Sequence, residues 1–567
     1  MLFAFAMLFL ALCMNRTINV YDEGLILFGA ARVLDGAVPH RDFYANYGPG
    51  QFYVLAALYK IFGASVLVER AWDTFVRSCI VVLVFVIVDR LAPRAVAVLT
   101  AIFTLVFLGS LIDAYGYPVF PALAAALAGL AFLLPSPGCE ASPARLMAAG
   151  GCAGVAMLFR YDVGAATFGA EIAILALDGW FQRPGVPSRL PCIIRVLSLY
   201  GLGFAIVVVP VAIALTIAGA LPDLAFDVVA FPARFYAKTR SLPFPNLSSL
   251  LEAPSHAVVY FPFVMCIAAL PAIVGAAQRQ KKERGAGRES AARRSLLWTL
   301  AALTVLTLVY LGKGMVRTQT THMAMAIVTS LTLAGLMVRA VPEHRLVRYG
   351  MSAMVSLGVA ALLLFSVRVD YRFAGENIAW VTNLASSAIS GSEVPMVSGS
   401  CRMPAGLERL ACFRTSPEMM QAILYVRQQT SRDDTVFIGL PRHDKIFVND
   451  VLLYFAMARK SATKWYHFDP GLQTSAPIQR EMIGELQRAK PKLVVMEPTW
   501  AASIPPEPND SAVSSGVTLL DDYIREAYEP VATFRAITVL RLRSVEPAAP
   551  AGMMRGMAGG PAAVQGL

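Results

Sequence analysis

The chain has 567 residues, of which 57% are hydrophobic and only 15% are charged, and its mean hydropathy is +0.58. Soluble domains are about 45–50% apolar and about 25% charged, so a cytosolic enzyme, a disordered chain and a collagen-like chain are excluded. The formal net charge of +11 is first a signal of membrane topology, because short basic loops stay in the cytoplasm. The composition predicts a polytopic membrane protein that does not bind nucleic acid.

Residues 1–367 contain eleven apolar runs. Backbone amides in hydrocarbon must bond within their own helix, so each run predicts a membrane helix, although several are shorter than the ~20 residues of a full crossing. The two runs beside Arg160-Tyr161-Asp162 also fit a re-entrant pair, and either arrangement returns the chain to the side it entered. The runs are Leu2–Met14, Thr74–Val88, Ala95–Ile112, Tyr117–Leu134, Leu146–Phe159, Val163–Leu177, Val196–Gly219, Ala257–Ala277, Leu296–Gly312, Met323–Val338 and Tyr349–Val367.

The densest basic segment, from Arg279 to Arg294, lies between the eighth and ninth runs. Short loops that are rich in Lys and Arg stay on the cytoplasmic side of the membrane. With this segment inside, the N-terminus is inside, and eleven crossings leave everything after Val367 outside. We therefore expect an inner-membrane protein whose C-terminal part lies in the periplasm or its equivalent.

The composition changes after Val367, where charged residues recur every few positions. Residues 368–546 predict a small external α/β domain, and residues 547–567, rich in Ala, Gly and Pro, predict a disordered tail. Cys401 and Cys412 are separated by a short loop of this predicted external domain. An external compartment is oxidising, which favours a disulfide between them. The predicted elements are helices at Pro417–Gln429, Val451–Ala458 and Ile478–Lys490, and strands at Thr435–Gly439, Leu493–Glu497 and Ala532–Leu542.

The segment between the first two runs, residues 15–73, is long for a mere connection. It begins with the adjacent carboxylates Asp22 and Glu23, directly after the first run. Two helical stretches follow, Gly24–Leu34 and Gln51–Phe62, which are too short and too mixed in composition to cross a bilayer. We expect both to lie along the membrane surface as juxtamembrane helices.

The chain combines the pair Asp22-Glu23, the segment Gly36-Ala-Val-Pro39 with Asp42-Phe43, two juxtamembrane helices and a polytopic body. This combination resembles the GT-C glycosyltransferases. Residues 21–160 are most similar to the branch that contains the protein O-mannosyltransferases and the lipid A aminoarabinose transferase. The resemblance implies a hexosyl- or pentosyltransferase. Such an enzyme moves a sugar, with inversion, from a polyprenyl-phosphate donor in the membrane to a lipid, glycan or protein acceptor at the external face.

The resemblance places Asp22 at the position of the catalytic carboxylate, accompanied by Glu23. A carboxylate must take the proton of the acceptor as the new bond forms. The structural alternative for this pair is an N-terminal cap and dipole partner for the following helix. Asp113, in the tight turn Asp113–Tyr117, is a third acidic candidate, and its alternative is a plain turn residue.

The departing phosphate needs cations, and several lie at the predicted external ends of the runs. Arg317 is the strongest candidate, because a planar guanidinium pairs with two phosphate oxygens. Arg160 and Asp162 lie between two apolar runs, where an ionisable pair is costly and is either functional or a structural ion pair. The other substrate-binding candidates are Lys313, His322 and Arg41, the last of which fits a bracing role in its loop equally well.

Three questions stay open in the sequence. Relatives in the aminoarabinose branch carry a lysine in the stretch aligned with Tyr44–Pro49, where this chain has Asn46, so the donor sugar is not identified. The basic segment Arg234–Arg240 fits either a lid or solvated charge. Asp22, Glu23 and Asp113 offer oxygen ligands for a divalent cation, but no spacing requires one, and we expect neither a metal nor another cofactor.

A transporter or flippase of lipid-linked sugars is the alternative function. It predicts inverted repeats and charged or broken helices near the middle of the membrane. The sequence shows no repeat, and the conspicuous charges lie at the ends of the apolar runs. This pattern favours chemistry at the membrane surface.

The topology can be tested with reporter fusions. Alkaline phosphatase fused directly after Val367 should be active, because that point is predicted to lie outside. The same reporter fused within residues 279–294 should be inactive, because this basic segment is predicted to stay in the cytoplasm. The reverse pattern would overturn the orientation and, with it, the external donor site.

Overall fold

A computed structural model of the protein describes residues 1–134, 141–180, 189–282, 288–367, 369–370, 372–390, 403–498 and 505–543. Over these ranges the protein is mainly helical and has one five-stranded sheet near its C-terminal end. The predicted tail, residues 547–567, and Cys401 of the predicted disulfide lie outside the described residues.

Each of the eleven predicted apolar runs coincides with a helix. The helices up to residue 366 are α1 (Leu2–Leu12), α2 (Asp22–Leu34), α3 (Gly50–Phe62), α4 (Val66–Leu91), α5 (Arg94–Gly109), α6 (Val119–Leu133), α7 (Pro143–Phe159), α8 (Tyr161–Trp180), α9 (Arg189–Ile217), α10 (Leu221–Ala225), α11 (Ala237–Arg240), α12 (Ser249–Glu252), α13 (Ala257–Lys282), α14 (Arg288–Gly314), α15 (Ala324–Met337) and α16 (Arg345–Ser366). Two π-helical turns, Phe226–Ala230 and Pro232–Tyr236, lie between α10 and α11.

Six of these helices, α4, α8, α9, α13, α14 and α16, are long and apolar enough to cross a membrane. The other five apolar helices, α1, α5, α6, α7 and α15, have 11 to 17 residues. Every residue of α15 is buried, as expected of a helix that is apolar all round and lies inside a bundle. The structure confirms a polytopic helical body, while the number of eleven crossings stays a prediction.

The two helices predicted between the first two runs are α2 and α3. The acidic residues Asp22 and Glu23 occupy the first turn of α2, where negative charge interacts favourably with the helix dipole. Gly63 ends α3 with a φ of 82°, which a residue without a Cβ adopts readily. The pair packs around Phe28 and Phe52, both of which are buried.

The C-terminal part is a small mixed α/β unit, as predicted. Its strands are β1 (Thr435–Gly439), β2 (Lys460–Ser461), β3 (Leu493–Met496), β4 (Tyr528–Phe534) and β5 (Ile537–Leu542), in the order β2-β1-β3-β5-β4. β1 is parallel to both of its neighbours, and the other pairs are antiparallel. The helices are α17 (Ala374–Ser390), α18 (Pro417–Gln429), α19 (Leu452–Met457), α20 (Ala476–Ala489) and α21 (Leu519–Ala527).

One predicted element was wrong. The single strand expected over Ala532–Leu542 is the hairpin of β4 and β5. The chain turns at Arg535, whose φ of 57° lies in the left-handed region that arginine rarely adopts. Since neither Gly nor Asn marks this turn, the sequence carries no local signal for it.

The α/β unit is fastened to α2 through backbone contacts. The amides of Val451 and Leu452, at the start of α19, both donate to the carbonyl of Val20, at 3.1 and 3.0 Å. Gly24 lies in the first turn of α2 directly against this point, and a Cβ there would lie 2.7 Å from the Leu452 nitrogen. The start of α2 is therefore held in contact with the C-terminal unit.

This contact predicts that Gly24→Ala lowers the stability of the protein. The added methyl would overlap with backbone rather than with a side chain that can move, and overpacking of this kind costs about 1–3 kcal/mol. Gly375→Ala, in α17, is the matched control, because nothing lies within 4 Å of its Cβ position. Thermal unfolding of the purified variants should show a lower midpoint for the first substitution only; equal midpoints would mean that the contact is loose.

Candidate active site

A cavity of about 190 Å³ lies where the ends of several helices meet the α/β unit. Its walls come from the start of α8, the end of α14, the loop before α15, the loop between α2 and α3, the π-helical turns and Asp469 of the α/β unit. The polar lining residues include Arg160, Asp162, Lys313, Arg317 and His322. The apolar ones are Val119, Phe231, Pro232, Val316 and Met325.

The cavity brings together five of the six predicted substrate-binding residues. They come from two stretches of sequence that are some 150 positions apart, and the antiparallel packing of α8 and α14 places these stretches side by side. Arg41 is the exception. It is exposed, bonds to Asp42 at 2.7 Å and donates to the carbonyl of Ala218 at 3.2 Å, so it braces its own loop.

The junction of α7 and α8 fixes the first of these cations. Arg160 is the last residue before α8, and its guanidinium lies 3.1 Å from the Asp162 carboxylate and over the ring of Tyr47. Asp162 also accepts from the amide of Val163 at 2.9 Å, in the first turn of α8, and forms an ion pair with Lys313 of α14. One carboxylate thus holds two cations beside the cavity.

Arg317 is held by a residue of the α/β unit. Its two terminal nitrogens donate to Glu507 at 2.7 and 2.6 Å, in the two-pronged geometry that a guanidinium also offers to phosphate. One of them donates in addition to the carbonyl of Arg240 at 2.9 Å. Glu507 therefore occupies the face of Arg317 that a phosphate would otherwise bind.

His322 lies among these cations. Burial lowers its pKa, and the positive charges of Arg317, Arg160 and Lys313 lower it further, to about 3. A neutral imidazole offers one hydrogen-bond donor without adding charge. His322 is therefore a neutral group at physiological pH.

Asp469 adds a carboxylate on the opposite wall. Its side chain pairs with Arg240 at 2.8 Å and accepts from the hydroxyl of Tyr44 at 3.1 Å. Burial alone would raise the pKa of Asp469, but Arg240 and His467 hold it below its ordinary value. Arg240 is buried in this pair, so it is neither solvated charge nor part of an open lid.

Asp22 lies behind the cavity wall, at the first residue of α2. Its half-buried carboxylate accepts a hydrogen bond from the hydroxyl of Tyr117, which lines the cavity. It accepts a second one from the side-chain nitrogen Nδ2 of Asn19, at 3.2 Å. Burial raises the pKa of Asp22, although Tyr117, Arg240, Asn19 and Arg317 oppose the shift. This carboxylate is consequently a better proton acceptor than an exposed one.

The other two acidic candidates lie away from the cavity. Glu23 is 1% exposed and pairs with Arg70 of α4 at 2.5 and 2.8 Å, so it fastens α2 to α4. Asp113 is exposed in its turn and does not line the cavity. Across the described ranges, no group of three or more His, Cys, Asp and Glu side chains is arranged to hold a metal ion.

The sequence reasoning did not find Asp469 or Glu507. Both lie more than 140 residues beyond the cations with which they pair, in the C-terminal α/β unit. Neither stands in a motif, and only the docking of the α/β unit near α2 and near the loop between α14 and α15 brings them to the cavity. No local signal could have identified them.

Comparison with known proteins supports the fold. No family model matches the chain, and no curated protein matches its sequence. The apo structure of ArnT from Cupriavidus metallidurans is similar over 95% of this chain and 96% of ArnT, with 14% sequence identity and a TM-score of 0.51. The structure of the same ArnT bound to undecaprenyl phosphate gives 14% identity, 95% and 97% coverage, and a TM-score of 0.49.

A third solved structure is more distant. Archaeal oligosaccharyltransferase AglB from Archaeoglobus fulgidus, in complex with an inhibitory peptide and a dolichol-phosphate, shares 12% identity over 88% of this chain and 69% of its own, with a TM-score of 0.42. The likeness to apo ArnT extends over almost the whole of both chains. The chain therefore shares its fold with apo ArnT, in agreement with the fold that the resemblance within residues 21–160 implied.

Proposed function

We propose that the protein is a glycosyltransferase that moves a hexosyl or pentosyl group from a polyprenyl-phosphate donor to a lipid, glycan or protein acceptor. One observation carries the proposal: a carboxylate with a raised pKa, Asp22, lies one side chain away from a cavity that holds three cations. The fold shared with apo ArnT supports it. In this proposal the reaction takes place at the external face of the inner membrane and inverts the sugar.

Asp22 is the general base of the proposed reaction. The acceptor loses a proton as its oxygen or nitrogen bonds to the sugar, and a carboxylate within hydrogen-bond reach takes that proton. The raised pKa of Asp22 brings its basicity closer to the working pH, which makes the transfer more favourable. Tyr117 holds the carboxylate and lies between it and the cavity, so its side chain orients the base toward the acceptor.

The cations receive the phosphate that leaves. Arg160, Lys313 and Arg317 line one cavity, where they stabilise the negative charge that grows on the phosphate as the bond to the sugar breaks. His322, which is neutral, donates a hydrogen bond to the same group. The apolar wall residues, Val119, Phe231, Pro232, Val316 and Met325, offer a surface for the first units of the prenyl chain.

We propose that the donor phosphate replaces Glu507 on Arg317. The carboxylate presents two oxygens to the guanidinium at 2.7 and 2.6 Å, and a phosphate can present two oxygens in the same way. Glu507 keeps Arg317 oriented while the cavity is empty. Its release on donor binding would loosen the attachment of the loop at Glu507 to the membrane helices.

We propose that the enzyme needs no metal ion. Three carboxylates were candidates for a shared site, but Glu23 pairs with Arg70 and Asp113 is exposed in a turn. Of these three carboxylates only Asp22 lies beside the cavity, and the side-chain cations that line it meet the charge of the leaving phosphate.

A flippase of lipid-linked sugars is the second candidate, and one observation favours it. Glu171, in the middle of α8, is fully buried and accepts from the hydroxyl of Tyr200 at 2.7 Å. Buried carboxylates inside membrane helices occur in transporters. Reconstituted liposomes should show sugar transfer to an acceptor without translocation of the donor; translocation without transfer would establish the flippase.

The role of Asp22 is tested by Asp22→Asn, which keeps the shape of the side chain and removes its basicity. Turnover with labelled polyprenyl-phosphate sugars should fall ~10²–10⁴-fold, while binding of the donor changes little. Asp522→Asn, on the exposed face of α21, is the matched control. Normal turnover by a well-folded Asp22→Asn variant would show that Asp22 is only a helix cap.

The pH profile provides a separate test of the same base. Asp22 acts only in its ionised form, so the rate should fall as the pH drops through its pKa. Because burial raises that pKa, the fall should begin at a higher pH than for an ordinary aspartate. A rate that stays constant down to the ordinary pKa of aspartate, ~3.9, would assign the base to another group.

Arg317 and Glu507 give opposite predictions. Arg317→Lys keeps the charge but loses the two-pronged geometry, so labelled polyprenyl phosphate should bind about tenfold more weakly. Glu507→Gln removes the competing carboxylate, so the same ligand should bind more tightly. Weaker binding in both variants would mean that Glu507 orients Arg317 in the bound state as well.

A further inference from the structure

A second cleft, of about 530 Å³, lies between the C-terminal end of α2 and the α/β unit. Five cations line it, together with only two carboxylates, Asp35 and Asp433. The cations are Arg32, Arg409, Arg432, Arg459 and Lys460. Arg32 stands ten residues after Asp22 on α2, which corresponds to about 15 Å along the helix axis. The cleft is thus separate from the candidate active site.

Three of these arginines have guanidinium N–H groups for which the described residues provide no hydrogen-bond acceptor. Arg32 donates one terminal nitrogen to the carbonyl of Asp42 at 2.8 Å, while its other terminal nitrogen is buried without a partner among the described residues. Arg409 donates one nitrogen to the carbonyl of Phe455 at 3.1 Å. Arg432 is exposed on the rim. A buried guanidinium nitrogen without an acceptor is costly, so the site is incomplete as it stands.

The remaining charged residues of the cleft neutralise these arginines only in part. Arg459 is fully engaged with Thr430 and with backbone carbonyls, and it braces the floor of the cleft. Lys460 pairs with Asp433 at 3.1 Å, but this carboxylate is 90% exposed, and a surface pair contributes little. Burial lowers the pKa of Arg409, Tyr59 and Asp35 oppose this shift, and the nearby charges of Arg432 and Arg427 lower the pKa further.

We propose that this cleft binds a phosphate group. Three guanidinium groups reach it from different elements: α2, the turn at Arg409 and the loop before β1. A tetrahedral dianion with several free oxygens can bond to all three, whereas a carboxylate has only two oxygens to offer. The phosphate can belong to a soluble molecule or to a lipid headgroup, and the chemistry of recognition is the same.

The test uses inorganic pyrophosphate and the full-length protein in neutral detergent. Calorimetric titration should reveal two sites, the cleft and the cation-lined cavity. The variant Arg409→Gln/Arg432→Gln should lose one site or weaken it at least tenfold, and Arg317→Gln should leave that site intact. Arg525→Gln/Arg541→Gln, which removes two exposed arginines elsewhere on the α/β unit, is the matched control and should behave as the wild type.

A single substitution at Arg432 distinguishes a loss of binding from a loss of folding. Arg432 is exposed, so Arg432→Gln alone should fold normally and still weaken the cleft site. Unchanged pyrophosphate binding in this variant and in the double variant would overturn the proposal. Competition by phosphatidic acid in the micelle would assign the site to a lipid phosphate, and binding without such competition would assign it to a soluble one.

Discussion

The buried ion pair between Glu23 and Arg70 is the interaction on which the candidate site depends. Arg70 meets both carboxylate oxygens, donates to the carbonyls of Asn15 and Thr17 at 2.8 Å, and lies 3.6 Å from the centre of the Tyr115 ring. Breaking such a pair by removing one partner costs about 3–5 kcal/mol, because a charge is left buried without compensation. The pair therefore fixes the first turn of α2, in which the neighbouring residue is the proposed base.

The adjacent carboxylates Asp22 and Glu23 have different roles in this arrangement. On a helix, successive residues point about 100° apart, so Asp22 and Glu23 extend toward different neighbouring elements, although both accept a hydrogen bond from Asn19. Glu23 points toward α4 and forms its ion pair with Arg70, whereas Asp22 points toward Tyr117 and the cavity. The acidic pair thus combines a structural anchor with a chemically available group.

The sequence predicted the fold better than it predicted the site. Apolar runs locate membrane helices because burial in hydrocarbon leaves no other way to satisfy the backbone, and all eleven runs became helices. The cations Arg160, Lys313 and Arg317 could be proposed because charge at the end of an apolar run is conspicuous. Asp469, the partner of Arg240, and Glu507, the partner of Arg317, could not be proposed. Both come from a polar unit in which a carboxylate is ordinary, and only tertiary docking brings them to the cavity.

The charged residues near the ends of α8 and α14 have a structural role. Asp178, near the end of α8, pairs with Arg294, near the start of α14, at 2.5 Å, and Asp162 at the other end of α8 pairs with Lys313. The two pairs are separated by about 24 Å along α8. Two antiparallel helices that are joined at both ends cannot slide past one another. The pair between Asp178 and Arg294 therefore helps to fix the register that places Lys313 opposite Asp162. The position of Lys313 beside the cavity is thereby set, in part, by an ion pair at the opposite end of the same two helices.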